Sequence, residues 1–200
     1  SEEFDSEEFD FVHFRKQSFT STIPYKKCVF DSVLEDFKID RSNIQEVITQ
    51  KIALASCTVM WKKEAIGDQR FEPNLLYAEE WEFYTRLILR GATGVKINNI
   101  LYFNRKHAKS NTGAFFLNDK SRVQSKIEAS KLIISSLNRF KLLNSDLVRF
   151  FCWESVRFKD KSLFQHLVNQ PSLTWGNSIK ARILYLASPI VKSWIKLKKR

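Results

Sequence analysis

The hydrophobic pattern of this 200-residue chain changes its period near residue 115, and that change constrains the fold more than any other feature. Before it, short runs rich in aromatic and β-branched residues alternate with short helical patterns, which predicts a mixed α/β region. After it, apolar residues recur at three- and four-residue steps, which predicts helices only. We therefore expect an α/β domain over residues 1–115, a helical region over 116–176 and a basic amphipathic tail over 177–200.

Local signals place the individual elements. In the α/β region we expect strands at 9–14, 55–60, 94–98 and 100–104, an edge strand or hairpin arm within 18–30, and helices at about 40–52, 62–66 and 79–89. Gly91 follows the third of these helices, where a C-terminal cap favours glycine. Asp40 or Ser42 is the expected N-terminal cap of the helix at about 40–52. In the helical region, Asn118 or Asp119 and the run Asn144-Ser145-Asp146 are the expected N-terminal caps. A further helical segment is expected at 163–168.

The net charge of +11 belongs mostly to the tail. Residues 161–200 contain eight basic residues and no acidic one, whereas residues 1–160 contain 25 basic and 22 acidic residues. A near-neutral body without an Arg-rich recognition helix argues against a nucleic-acid partner. Cys28, Cys57 and Cys152 are far apart and too few to pair completely, so we expect reduced thiols in a cytoplasmic protein.

Two adjacent acids, Glu79 and Glu80, begin the helix predicted at 79–89. A carboxylate at the start of a helix lies near the positive end of the helix dipole on a rigid element, which suits a general base that takes a proton from a hydroxyl. Acids in a first helical turn also stabilise the helix itself, and the spacing alone favours that plainer interpretation.

A second polar segment follows the strand predicted at 100–104. It places Arg105, His107 and Ser110 in a loop just past a strand end, where ligand contacts are common. Arg and His side chains can hold a diphosphate, and a neutral His can ligate a divalent metal. A solvated basic loop explains the same residues when the segment is considered by itself.

Taken together, these segments resemble the second half of glycosyltransferase family 2, most closely the members that build capsular polysaccharide, O-antigen or related bacterial surface glycans. The resemblance covers roughly residues 9–113. It rests on four segments in the family's order and spacing: Trp61-Lys62-Lys63, Arg70-Phe71-Glu72-Pro73, Glu79-Glu80-Trp81-Glu82-Phe83-Tyr84-Thr85-Arg86 and Arg105-Lys106-His107-Ala108-Lys109-Ser110.

The resemblance implies an inverting transferase with the GT-A fold, the nucleotide-diphospho-sugar transferase fold, present here as its acceptor-side half. It implies that Glu80 is the catalytic base, that Glu79 is its neighbour in the acceptor pocket and that Trp81 forms a wall of that pocket. Arg105, His107 and Ser110 are implied at the nucleotide diphosphate, with His107 as a candidate metal ligand. The family usually has Asp where this chain has Glu80, so the carboxylate is displaced by about one bond length.

The family's donor-binding half, with its Asp-x-Asp motif for Mg²⁺ or Mn²⁺, has no equivalent in this sequence. We expect that half upstream of Ser1, and the chain alone to be inactive. The implied partners are a nucleotide-sugar donor and a glycan or lipid-linked acceptor for surface polysaccharide synthesis. The implied location is the cytoplasm or the inner face of the cell membrane. The alternative is a non-catalytic, glycosyltransferase-like interaction module.

The tail is predicted to be an amphipathic cationic helix. Its apolar positions are Ile179, Ile183, Leu186, Ile190, Trp194 and Leu197. Such a helix suits the surface of an anionic membrane, and it suits equally a helix that packs on its own domain. It is too short in apolar residues to span a bilayer, and Pro189 is expected to kink or split it.

Overall fold

A computed structural model describes residues 8–20, 37–106 and 111–198 of the chain, except for the side chains of Asn111 and of residues 188–198. The chain divides into two compact units, Ser1–Arg122 and Val123–Arg200, so the division lies beyond the predicted position near 115. The strands are β1 (Phe11–Phe19), β2 (Phe37–Ile39), β3 (Val59–Trp61) and β4 (Gly94–Arg105). The helices are α1 (Ile44–Ile48), α2 (Lys63–Ile66), α3 (Glu79–Leu89), α4 (Asn111–Phe116), α5 (Lys120–Arg139), α6 (Ser145–Phe158), α7 (Lys161–Val168) and α8 (Trp175–Lys198).

The first unit is built on a mixed sheet with the strand order β2-β4-β1-β3. The central strands β1 and β4 are parallel, and β2 and β3 pair antiparallel at the two edges. This arrangement confirms the general α/β class for the first region. The two strands predicted at 94–98 and 100–104 are one continuous strand, and the pairing of β1 with β4 shifts its register on either side of Arg15. The hairpin arm expected within 18–30 lies largely outside the described residues.

In the centre of this sheet an aromatic side chain packs directly over a glycine of the neighbouring strand. Phe11 on β1 faces Gly94 across the parallel pair, and a Cβ atom at residue 94 would overlap the Phe11 ring. The same ring, fully buried, lies 4.4 Å from the ring of Trp61 on β3. Glycine at the start of β4 therefore leaves room for the Phe11 ring, which packs between β4 and Trp61 of β3.

The helix predicted at 40–52 is shorter than expected. Asp40, one of the two predicted caps, caps the 3₁₀ turn Arg41–Asn43 at the start of this segment: its side chain accepts a hydrogen bond from the backbone N–H of Ser42 at 2.7 Å. A 3₁₀ turn precedes α1, which ends at Ile48, and the chain then reverses at Gln50 with a φ angle of 63°. The left-handed backbone at Gln50 is incompatible with a continuing α-helix. The apolar positions of the pattern are nevertheless buried, including Ile52 beyond the helix end.

The helix α3 has the predicted bounds. Its last turn closes as a Schellman motif, in which Gly91 N–H donates to the Ile88 carbonyl at 3.0 Å and Ala92 N–H to the Leu87 carbonyl at 3.2 Å. Gly91 has a φ angle of 113°, which a side chain would strain. The cap predicted at this glycine is confirmed.

The second unit contains helices only in its described part. Asn144 and Asp160 cap α6 and α7 through backbone N–H groups of Leu147 and Leu163, at 2.9 and 2.7 Å. Cys152 on α6 is fully buried against α8, and its thiol donates to the Ala181 carbonyl at 3.5 Å. Burial raises the pKa of that thiol to about 11. The helix α8 passes through Pro189 as one assigned helix, so the proline does not split it as expected.

A lysine within this unit makes its stability depend on pH. Burial lowers the pKa of Lys126 to about 7; the Glu154 carboxylate opposes that shift and the Arg157 guanidinium adds to it. An unfolded lysine titrates near 10.4. Between these values the unfolded chain binds more protons than the folded one, so the free energy of unfolding rises with pH.

We expect this free energy to rise, relative to that of Lys126→Met, by about 2 kcal/mol or more between about pH 7 and 10, measured by urea unfolding followed by circular dichroism. The comparison with this variant cancels the opposite effect of the raised pKa of Cys152. Lys126→Met removes the lysine charge, so it is expected to be more stable than the parent at neutral pH and to lack the rise that Lys126 causes. A Lys126→Met protein with the parent's pH dependence would contradict the assignment.

Candidate functional site

The N-terminus of α3 is strained and carries no side-chain cap. The residue before the helix, Ala78, adopts a left-handed conformation with φ 65° and ψ 17°, and its side chain offers no hydrogen bond to the first turn. Such a conformation costs a non-glycine residue roughly 1–2 kcal/mol. Strained backbone of this kind is concentrated at ligand-binding and catalytic positions. Ala78 is one of five left-handed non-glycine residues in the described chain, and it lies at the turn that presents Glu79 and Glu80.

The two predicted acids lie at this turn in accessible positions. Both are half-buried, and within the described part of the chain neither carboxylate forms a hydrogen bond or an ion pair. The pKa of Tyr84 is raised to about 12, first by burial and then by the negative charge of Glu80 one helical turn away. The Glu80 carboxylate therefore has a buried phenol on one side and retains its own hydrogen-bonding capacity.

Trp81 does not have the position that the resemblance implies. Its side chain is only 6% exposed, and its indole N–H donates to the Ile48 carbonyl at 3.1 Å. An aromatic wall for a sugar needs a ring face open to the ligand. The structure instead uses Trp81 to fix α3 against the end of α1.

An ion pair that the sequence analysis did not single out fixes the loop before α3. Glu82 is 4% exposed and accepts two hydrogen bonds from Arg86, at 2.8 and 3.0 Å. Arg86 also donates to the Gln69 side chain at 3.0 Å and to the Arg70 carbonyl at 2.8 Å. The arginine thus joins the helix to the segment that precedes the acids. The i, i+4 spacing of Glu82 and Arg86 is the sequence signal that could have found it.

The same loop is also held by aromatic packing. Phe71 stacks on Phe83 of α3 with ring centroids 4.3 Å apart, and Leu75 is buried. Polar and apolar contacts therefore act together on the short segment between α2 and α3. This is the support that positions the Glu79–Glu80 turn.

Of the site residues predicted in the second motif, only the first, Arg105, lies within the described residues. Arg105 ends β4, is exposed, and holds its guanidinium 5.4 Å from the centre of the Phe19 ring. The backbone beside it is fixed by the Lys106 N–H, which donates to the Phe19 carbonyl at 2.9 Å. His107 and Ser110 lie outside the described residues.

The helix after the second motif contacts the loop before the first. Tyr77 stacks on Phe115 of α4, with centroids 4.4 Å apart and ring planes 16° apart. Tyr77 is three residues before Glu80, and α4 begins immediately after Ser110. The chain segments that flank the two motifs are therefore neighbours in space, although Tyr77 and Phe115 are nearly forty residues apart in sequence.

A cleft of the first unit lies away from this turn. It has a volume of about 390 Å³ and is lined by residues 65–69, by Asp10 and by the C-terminal end of α3 at Arg90 and Gly91. At 1.5 Å per residue, the 11-residue helix separates its two ends by roughly 15 Å. The Asp10 carboxylate is already used, because it accepts a hydrogen bond from the Thr93 N–H at 2.8 Å. This cleft does not belong to the Glu80 turn.

In residues 8–20, 37–106 and 111–198, no three His, Cys, Asp or Glu side chains come together as a metal site. The metal ligand implied at His107 lies outside those ranges. No protein-family model, curated protein or solved structure matches the chain. Among the helices of the described residues, none is both long and apolar enough to cross a bilayer.

Proposed function

We propose that this chain is the acceptor-side half of an inverting, sugar-nucleotide-dependent glycosyltransferase of the GT-A type. The observation that carries the proposal is the Glu80 carboxylate, which is held by a strained turn at the start of α3 and has no partner among the described residues. A rigid helix supports it, as a positioned base requires.

The proposed site combines the two motifs. The stacking of Tyr77 on Phe115 brings the segments beside them together, which supports one site with an acid on one side and cations on the other. Arg105 presents a guanidinium to solvent, and such a group recognises a diphosphate through charge-assisted hydrogen bonds. His107 and Ser110 complete this half of the proposal from the sequence.

The chemistry assigned to Glu80 is proton transfer. As the acceptor hydroxyl oxygen attacks the anomeric carbon of the donor sugar, its proton passes to the Glu80 carboxylate and the nucleoside diphosphate leaves from the opposite face. One displacement inverts the configuration at that carbon. The cation of Arg105 stabilises the negative charge that develops on the departing diphosphate. No step assigned to this chain depends on a metal ion.

The function is tested by release of nucleoside diphosphate from a panel of nucleotide-diphospho-sugars. The assay compares residues 1–200 alone with a protein in which they are joined to a donor-binding half. We expect turnover only in the joined protein. Turnover by residues 1–200 alone would contradict the division into halves. A folded joined protein that binds the nucleotide but transfers no sugar would favour the non-catalytic interaction module instead.

A further inference from the structure

The helix α8 has two unlike faces in its described part. One face packs on α6 and α7: Ala181 is buried, and Tyr185 stacks on Phe164 at 4.0 Å between ring centroids. The opposite face carries large apolar side chains that remain exposed, with Trp175 at 81%, Ile183 at 61% and Leu186 at 76%. We call Trp175, Ile179, Ile183 and Leu186 the apolar stripe.

The stripe follows the helical repeat and continues in the sequence. Its members are three or four residues apart, so they lie on one side of the helix. Ile190, Trp194 and Leu197 follow at the same spacing along the helix, which reaches Lys198. In its described part the stripe already extends from Trp175 to Leu186, about three helical turns, so it is more than a local irregularity.

Cations lie on both sides of the stripe. Lys180 and Arg182 are exposed and border it on α8 itself. A groove of about 430 Å³ beside α7 is lined by Lys161 and Arg182, and one of about 250 Å³ beside α6 is lined by Arg149 and Lys180 together with Asp146. Of these cations, Arg149 also contacts Asp146 at 3.1 Å, an exposed pair of little strength.

The charge identifies what the stripe contacts. Residues 161–200 carry eight cations and no acid, so a second copy docked through this face would bring like charges together. An anionic surface with an apolar interior matches both features, because it takes up the apolar side chains and neutralises the cations around them. An anionic phospholipid bilayer has that composition.

We propose that the apolar stripe of α8 docks the helical unit onto an anionic phospholipid bilayer, with α8 lying in the plane of the interface. Trp175, Ile183 and Leu186 enter the boundary between headgroups and acyl chains. Lys180 and Arg182 lie at headgroup level on either side, and the two grooves beside them accept lipid phosphates. The proposal is independent of the transferase chemistry, since it uses residues of the second unit only.

The first test measures binding of the chain to vesicles by co-sedimentation. Vesicles of phosphatidylcholine alone are compared with vesicles that also contain phosphatidylserine. We expect binding to the anionic vesicles only, weakening as salt is added. Leu186→Asp is expected to weaken that binding by about tenfold or more, because it places a charge in the buried part of the interface. Leu117→Asp is the matched control, since Leu117 is equally exposed at 80% but lies in the first unit.

The second test reverses charge. The pair Lys180→Glu with Arg182→Glu is compared with Lys51→Glu and Lys63→Glu, which change the net charge equally at exposed positions of the first unit. Each cation near an anionic membrane contributes about fivefold to binding, so the first pair is expected to reduce binding by well over tenfold and the second pair far less.

Three results would overturn the proposal. The first is equal binding to neutral and anionic vesicles. The second is a Leu186→Asp protein that binds as well as Leu117→Asp does. The third is a dimer in solution that Leu186→Asp dissociates, which would assign the stripe to a second copy of the chain. Circular dichroism of each variant shows whether it is folded, and Leu186→Ala provides a milder replacement if the aspartate variant is not.

Discussion

Glu80→Gln is expected to lower the rate of sugar transfer by about 10²–10⁴-fold in a protein that contains this chain and a donor-binding half. Glutamine keeps the size and most of the hydrogen-bonding capacity of the side chain, but its amide cannot take the proton of the acceptor hydroxyl. The carboxylate makes no hydrogen bond or ion pair in the described part of the chain, so its loss leaves no buried partner unsatisfied. The variant should therefore lose less than about 1 kcal/mol of stability, the contribution of one acid at a helix start, as measured by thermal unfolding.

Two further variants separate catalysis from helix stability. Glu79→Gln removes the neighbouring charge at the same helix end and is expected to retain most of the transfer rate. Glu80→Asp keeps a carboxylate but moves it by about one bond length, and displacements of about 1 Å cost on the order of a hundredfold. Its rate should lie between those of the parent and Glu80→Gln. A folded Glu80→Gln enzyme with the parent's rate would refute the role of base.

Arg86→Met is expected to destabilise the first unit by about 3–5 kcal/mol, because it leaves the buried Glu82 carboxylate without its partner. The same change removes the hydrogen bonds to Gln69 and to the Arg70 carbonyl, so the loop before α3 should open. The loss is measured as the free energy of urea unfolding. Limited proteolysis between residues 67 and 78 reports the local opening.

Arg149→Met is the matched control for this change. Arg149 pairs with Asp146 on α6, but both side chains are exposed, so the same substitution should cost less than about 1 kcal/mol. The double variant Glu82→Leu with Arg86→Met removes both charges and should be more stable than Arg86→Met alone. If Arg86→Met lowers the free energy of unfolding no more than Arg149→Met does, Arg86 does not hold the loop before α3 in place.

Local chemistry in the sequence predicted the elements that depend on it. The bounds of α3 followed from its apolar spacing and from Gly91, and the caps at Asp40 and Asn144 followed from their side chains. The elements that depend on partners distant in sequence were predicted less well. The single strand β4 was predicted as two, because its continuity comes from pairing with β1, which is some eighty residues away in sequence.

The candidate site shows the same division. The predicted start of α3 was sufficient to place Glu79 and Glu80 in accessible positions, because the buried residues of this helix begin only at Trp81. Trp81 was assigned to the wrong side, although Tyr84, Thr85 and Ile88 follow it at the spacing of one helix face and all are buried. The strain at Ala78 could not be predicted, since alanine gives no signal for a left-handed backbone.

The burial of Cys152 beneath α8 makes the reactivity of its thiol a measure of how often this helix opens. A thiol reagent must reach the sulfur, and it reacts with the ionised thiolate. The packed helix blocks access to the sulfur, and the raised pKa keeps the thiol protonated. Labelling of Cys152 can proceed only in molecules whose α8 has lifted away. The rate at which Cys152 itself is labelled, distinguished from the half-buried Cys57 by peptide mapping, therefore reports the openings of this helix without an introduced residue.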